Sequence, residues 1–169
     1  VITYLTQIID GAVGVADLGD GSYRVDFDGT GSRLATDAET LAAAQANHIE
    51  YLRAECEKSI VAGAQSDALG GPHRYPTDLK NQSNIMAQAL RAQIFGAAKA
   101  PYKFLCADAH GVWARREHTA AQMIEAGSDV ADHVINNQNQ YELLSNQVKA
   151  ITLSDGLETA LTAISAITW

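Results

Sequence analysis

Gly63-Ala64-Gln65-Ser66-Asp67-Ala68-Leu69-Gly70-Gly71-Pro72-His73-Arg74-Tyr75-Pro76-Thr77-Asp78-Leu79-Lys80-Asn81-Gln82 is a turn leading into a helix, and the rest of the chain is read outward from it. Gly63 is the residue type that readily takes the left-handed conformation just past a helix end. Pro72 and Pro76 hold Gly71 and Tyr75 in extended backbone. Thr77 or Asp78 then offers a side-chain oxygen to the free amides of a helix expected from about Leu79 to Phe95.

Upstream, Thr36 and Glu39 have the capping-box spacing, and Leu41, Ala44, His48, Leu52 and Cys56 follow at steps of three and four, widened by Ile49 and Ile60. One helix with an apolar face is predicted through about Val61. Before it, Val1 to Ile9 is rich in β-branched and aromatic residues, and Val13 to Leu18 and Ser22 to Phe27 flank the turn Gly19-Asp20-Gly21. These segments predict a small antiparallel sheet. A lone hairpin is marginal in water, so it must pack on the next helix, a neighbouring chain or a larger protein.

Downstream, the Leu79 helix offers Leu79, Ile85, Met86, Ala89, Leu90 and Ile94 as apolar positions. Pro101 opens a hairpin, with Tyr102 to Ala107 and Val112 to Glu117 joined by a turn at Asp108 to Gly111. Thr119 and Gln122 repeat the capping box at the head of a helix that runs to about Ile151, and Ser154 or Asp155 starts a short final helix carrying Leu157, Leu161, Ile164 and Ile167. The fold class read from this pattern is α+β: residues 1–35 as an amino-terminal β-hairpin or attachment element, then residues 36–169 as a mostly helical domain with one inserted hairpin at about 101–118.

In the long helix Gly127, Val130, Val134, Asn137, Tyr141, Leu144, Val148 and Ile151 step by three and four alternately, the period of a coiled-coil seam. The stripe fits two uses. It can pack on other helices of the same domain, or it can serve as an oligomer seam in which Asn137 sets the register.

Composition excludes several classes. Twenty acidic against twelve basic side chains give a formal charge of −8, which repels phosphate backbones and provides no counterion release, so nucleic acid is not an expected partner. No apolar run reaches the roughly 18 to 20 residues of a membrane span, and the amino terminus lacks a signal-peptide layout. The expectation is a protein made and kept in cytoplasm until assembly. The two cysteines, Cys56 and Cys106, have no metal-ligand spacing and read as small buried apolar side chains.

Among the five histidines, His48 falls on an apolar stripe. His73 lies between prolines near Asp78, where a carboxylate could orient it as a general base, but no nucleophile stands at a telling spacing. His110, His118 and His133 make no helical pair four apart, and no catalytic, cofactor or metal residues are assigned. Gly127 costs roughly 1 kcal/mol in a helix relative to alanine and marks a close helix approach. Tyr102, Phe104 and Trp113, beside Arg115 and Arg116, either anchor a protein interface or fill the junction between hairpin and helices.

The Gly63–Gln82 segment, the hairpin around Asp108 to Trp113, His118-Thr119-Ala120-Ala121-Gln122 and the long helix after it, in that order, resemble a small domain family that recurs in tailed-phage tail fibre and tail assembly proteins. The resemblance covers roughly Glu55 to Trp169. Its matching residues are Gly63, Ala68, Leu69, Gly70, His73, Tyr75, Pro76, Thr77, Asp78 and Gln82, and it brings no active site with it. It implies a structural tail component: a fibre, a baseplate-attached protein or a fibre-assembly factor, located in the virion. The partners implied are other tail or baseplate proteins and copies of the chain, with a trimer favoured. The alternative is a host-surface carbohydrate-binding module. His73, Tyr75, Pro76, Thr77 and Asp78 are read as a structural clamp.

Overall fold

The computed structural model describes residues 1–169, the side chain of Ile2 excepted. It is an α+β fold of long helices and two small antiparallel sheets. By its internal contacts the chain forms two compact units, Val1–Glu55 with Tyr141–Trp169, and Cys56–Gln140.

The first unit holds helix α1 (Ile2–Ile8), strands β1 (Ala12–Asp17), β2 (Tyr23–Phe27) and β3 (Gly31–Leu34), most of helix α2 (Asp37–Val61), the end of helix α4 (Ala120–Ala150), and helix α5 (Leu157–Ala166). The expected hairpin is present, with Val15 opposite Val25, and gains a third strand from the segment after Phe27. Val1 to Ile9 departs from expectation, being a helix rather than a strand. Leu5 and Ile9, one helical turn apart, are both buried in a cluster with Val25 and Ala43. The helix brings the two within one turn of each other on that cluster, and this burial overrides the β-propensity of the segment.

A second cluster in this unit joins Leu41, Ala44, Leu52, Val148, Ala160 and Ile164. Two polar devices fix its helix ends. Thr36 and Glu39 form the expected capping box, the Thr36 amide donating to Glu39 Oε2 at 2.8 Å and the Glu39 amide to Thr36 Oγ1 at 3.2 Å. The Gln45 side-chain amide donates to the carbonyls of Val148 and Ile151 at 3.0 and 2.9 Å, holding the end of α4, where the Val148 carbonyl also accepts from the Ile151 amide.

The second unit contains helix α3 (Leu79–Phe95), a 3₁₀ turn at Gly96–Lys99, and strands β4 (Ala64–Ser66), β5 (His73–Tyr75), β6 (Tyr102–Ala107) and β7 (Trp113–His118). The strands run in the order β4-β5-β6-β7, all antiparallel. Sequence reading found the β6–β7 hairpin but took β4 and β5 as loop, because three-residue strands are too short to display a period. The sheet's inner residues, with Ile85, Ala92, Met123, Ala126 and Val130 from α3 and α4, make one core.

Gly63 and Gly127 are required at their positions. Gly63 has φ +103°, and a Cβ there would lie 2.9 Å from Arg74 Cγ. At Gly127 a Cβ would lie 2.6 Å from that of Ala89, so the glycine lets α3 and α4 come together.

Candidate functional site

β5 and the start of α3 gather the clamp residues. Tyr75 is fully buried, and its hydroxyl lies 2.7 Å from His118 Nε2 at the end of β7. His118 Nδ1 is 3.0 Å from the Arg116 carbonyl, which can only accept. Nδ1 therefore carries the proton, and Nε2 accepts from the tyrosine. Burial lowers the His118 pKa and keeps the ring neutral. Burial likewise raises the Tyr75 hydroxyl and the Cys106 thiol beside it, so both hold their protons.

After Pro76 two neighbouring side chains do different work. The fully buried Thr77 hydroxyl donates to the Ile60 carbonyl near the end of α2, while the Thr77 carbonyl accepts from the Gln82 amide at 2.6 Å. Asp78 is the cap of α3, accepting from the Asn81 amide at 3.2 Å. Its pKa is lowered by the Asn81 side chain first and the Asn81 backbone amide next.

His73 faces another way. It lines an open cavity of about 560 Å³ with Gln65, Arg74, Asp108 and His110. Its Nδ1 lies 2.8 Å from the Gly71 carbonyl, so a backbone oxygen orients it, not the carboxylate of Asp78. Asp108 accepts from the amides of His110 and Val112, each at 3.0 Å, and from Arg116 at 2.8 Å. The Val112 amide is the main cause of its lowered pKa. With Asp108 committed to its turn, the cavity offers a guanidinium, two imidazoles and an amide, groups suited to holding an anionic or polyhydroxyl ligand. Its lining includes no serine, threonine or cysteine.

The three hairpin aromatics separate. Tyr102 is 1% exposed and Phe104 5%, so both are core residues and neither can anchor an interface. Trp113 does not fill the junction; it is 43% exposed, with the Arg74 guanidinium 5.5 Å from its ring centre.

The α4 stripe is used within the chain. Gly127 and Val130 face the second unit's core, and Tyr141, Leu144, Val148 and Ile151 belong to a core cluster of the first. Asn137 is bonded within the chain. Its Nδ2 donates to the His133 carbonyl of its own helix at 2.7 Å, and its carbonyl lies 3.5 Å from the Cys56 thiol. Val134 lines a groove of about 450 Å³ with Leu79 and Gln82.

Sequence reading missed His118, placing it only as the residue before a helix cap. Period-two alternation along β6 turns Tyr102, Phe104 and Cys106 inward, and His118 pairs with Tyr102 across the hairpin, which is the signal that could have found it. Among the described residues no three histidine, cysteine or acidic side chains converge as a metal site. No helix there is long and apolar enough to cross a membrane.

These features define an α+β protein with a buried Tyr75–His118 hydrogen bond within a small sheet and an open cavity at the sheet's turn. It belongs to the family described as a domain of unknown function, DUF4376, which it matches over residues 43–167. No curated protein and no solved structure matches the chain.

Proposed function

We propose that this chain is a structural component of a bacteriophage tail, a fibre, baseplate-attached or fibre-assembly protein, acting in the virion through protein contacts. The observation that carries the reading is the exposed apolar side of α3, where Leu79, Met86, Leu90 and Ile94 are 81, 46, 57 and 63% exposed. Patches of this kind mark contact surfaces. The tail assignment itself rests on the resemblance of Gly63 to Gln82 and the elements after it. Other tail or baseplate proteins and copies of the chain are the partners proposed, and nucleic acid is not, given the charge of −8. With much of the α4 stripe packed inside the chain, self-association, including the trimer that the resemblance implies, would use other surfaces. Mass spectrometry of gradient-purified virions, with antibody labelling in electron micrographs, tests the reading. Stoichiometric copies on tails are expected, and absence from both virions and tail-assembly intermediates overturns it.

The second reading is recognition of host-surface carbohydrate, favoured by exposed Trp113 beside the cavity that holds His73, Arg74 and His110. Indole faces and clustered donors suit sugar rings. Retention of the chain on immobilised host polysaccharide, lost in Trp113→Ala, is the expected result. No retention of the folded wild-type chain removes this reading and leaves the first intact.

A further inference from the structure

The apolar side of α3 adjoins a groove of about 460 Å³ between α3 and α4, lined among others by Met86, Ala89, Leu90, Ile124 and Gly127. Charge is distributed unequally about it. α3 carries Lys80 and Arg91 and no acid, whereas α4 from Ala120 to Gln140 carries Glu125, Asp129 and Asp132 and no lysine or arginine. None of these five charges has an ion-pair partner among the described residues.

Helical spacing orders these groups across the surface. With Ile85 and Ala92 buried, Leu79, Met86 and Leu90 fall on the α4 side of α3, and Lys80 and Arg91 fall on its far flank. On α4, Ile124, Ser128 and Ile135 border the groove side, while Glu125, Asp129 and Asp132 occupy the flank away from α3. From one edge to the other the face therefore reads basic, apolar, groove, apolar, acidic. A face with that order is complementary to itself.

We propose that this face pairs two copies of the chain about a two-fold axis running along the groove, so that α3 of each copy lies over α4 of the other. An axis in that direction exchanges the two flanks across the interface and leaves heights along the groove unchanged. Arg91 then meets the partner's Glu125, and Lys80 approaches the partner's Asp132. The alternative axis, across the groove, sets α3 against α3 and brings like charges together. Charge complementarity thus selects both the occupant and its orientation. This deepens the proposed reading, giving a second copy of the chain its place on the same side of α3; it is argued only from the surface of Cys56–Gln140, so absence of the chain from virions would leave it standing.

Sedimentation equilibrium of the full chain tests the proposal. The apolar face is small, so a dimer constant of roughly 10–100 µM is expected. Leu90→Asp, at an exposed position, should yield a monomer with an unchanged circular dichroism spectrum. Arg91→Glu and Glu125→Arg should each raise the dimer constant about tenfold, and the two reversals together should restore it towards wild type. A wild-type monomer at the highest of these concentrations, a trimer, a dimer indifferent to Leu90→Asp, or charge reversals that add rather than compensate would each overturn it.

Discussion

Tyr75 and His118 meet through a single hydroxyl, which donates to the ring nitrogen that the Arg116 carbonyl leaves unprotonated and joins β5 to the hairpin. Tyr75→Phe keeps the ring packing against Phe104 and removes that donor, leaving a buried imidazole nitrogen unpaired. The expected cost is about 1–3 kcal/mol in denaturant melts, and a loss within error would show that the bond contributes nothing. His118 also predicts a pH dependence. Its folded pKa lies below the ordinary 6.5, so the unfolded chain binds the proton more readily. The stability is fully present above about pH 6.5 and falls as the pH drops from there towards the folded value. The groups around the ring are Tyr75 and the nearby His73, which disfavours a second positive charge. His118→Gln should remove the fall between pH 7 and pH 5, and equal slopes in variant and wild type would refute the assignment. Glu39 acts in a lower window: Arg33 first, then the Thr36 amide, holds its pKa at about 2, so its contribution is lost only as the pH falls from about 4.5 towards 2.

Among the elements, α3 is held at its start by two oxygens with different surroundings. Asp78→Ala removes an exposed cap and should cost about 1 kcal/mol. Thr77→Val removes the hydroxyl donor of the Ile60 carbonyl, leaving that part-buried oxygen only His133 Nε2 at 3.3 Å, and should cost about 1–3 kcal/mol, with little change in shape to offset it. Equal or negligible losses in thermal melts would contradict this division of labour. At the α3–α4 crossing, Gly127→Ala improves helix propensity by roughly 1 kcal/mol yet forces a Cβ to within 2.6 Å of Ala89. Overpacking of that kind typically costs about 1–3 kcal/mol, so the variant should melt lower than wild type, and a higher melting temperature would mean the helices separate freely.

Over the whole molecule, residues 56–140 have their own sheet and their own core, built on Tyr75, Ile85, Met123 and Val130. Produced alone, this segment should show a cooperative thermal transition and a circular dichroism signal of mixed helix and strand. A featureless melt would mean that its core is insufficient by itself. A fragment of this length buries a modest share of its surface, so lower stability than the full chain is expected.

The helices α2, α3, α4 and α5, the β1–β2 and β6–β7 hairpins and the capping pairs Thr36–Glu39 and Thr119–Gln122 were legible in the sequence, because periodicity and capping act within a few residues of chain. So was the close approach at Gly127. The helical state of Ile2–Ile8 was not, since local β-propensity points the other way and the deciding contact, Leu5 and Ile9 against Val25 and Ala43, is made by residues far apart in the chain. The strands β4 and β5 were hidden because three residues show no period; they are strands by pairing with each other and, through Arg74 and Ala107, with β6. The candidate site divides likewise. Asp78 as a cap follows from its neighbours, whereas the joining of Tyr75 to His118 and of His73 to His110 in one cavity depends on how the sheet closes. Spacing along α4 established a stripe but not what would cover it; the tertiary structure packs Val130, Tyr141, Leu144, Val148 and Ile151 of that stripe within the chain and leaves the outer side of α3 to water, because those contacts are made by residues far apart in sequence.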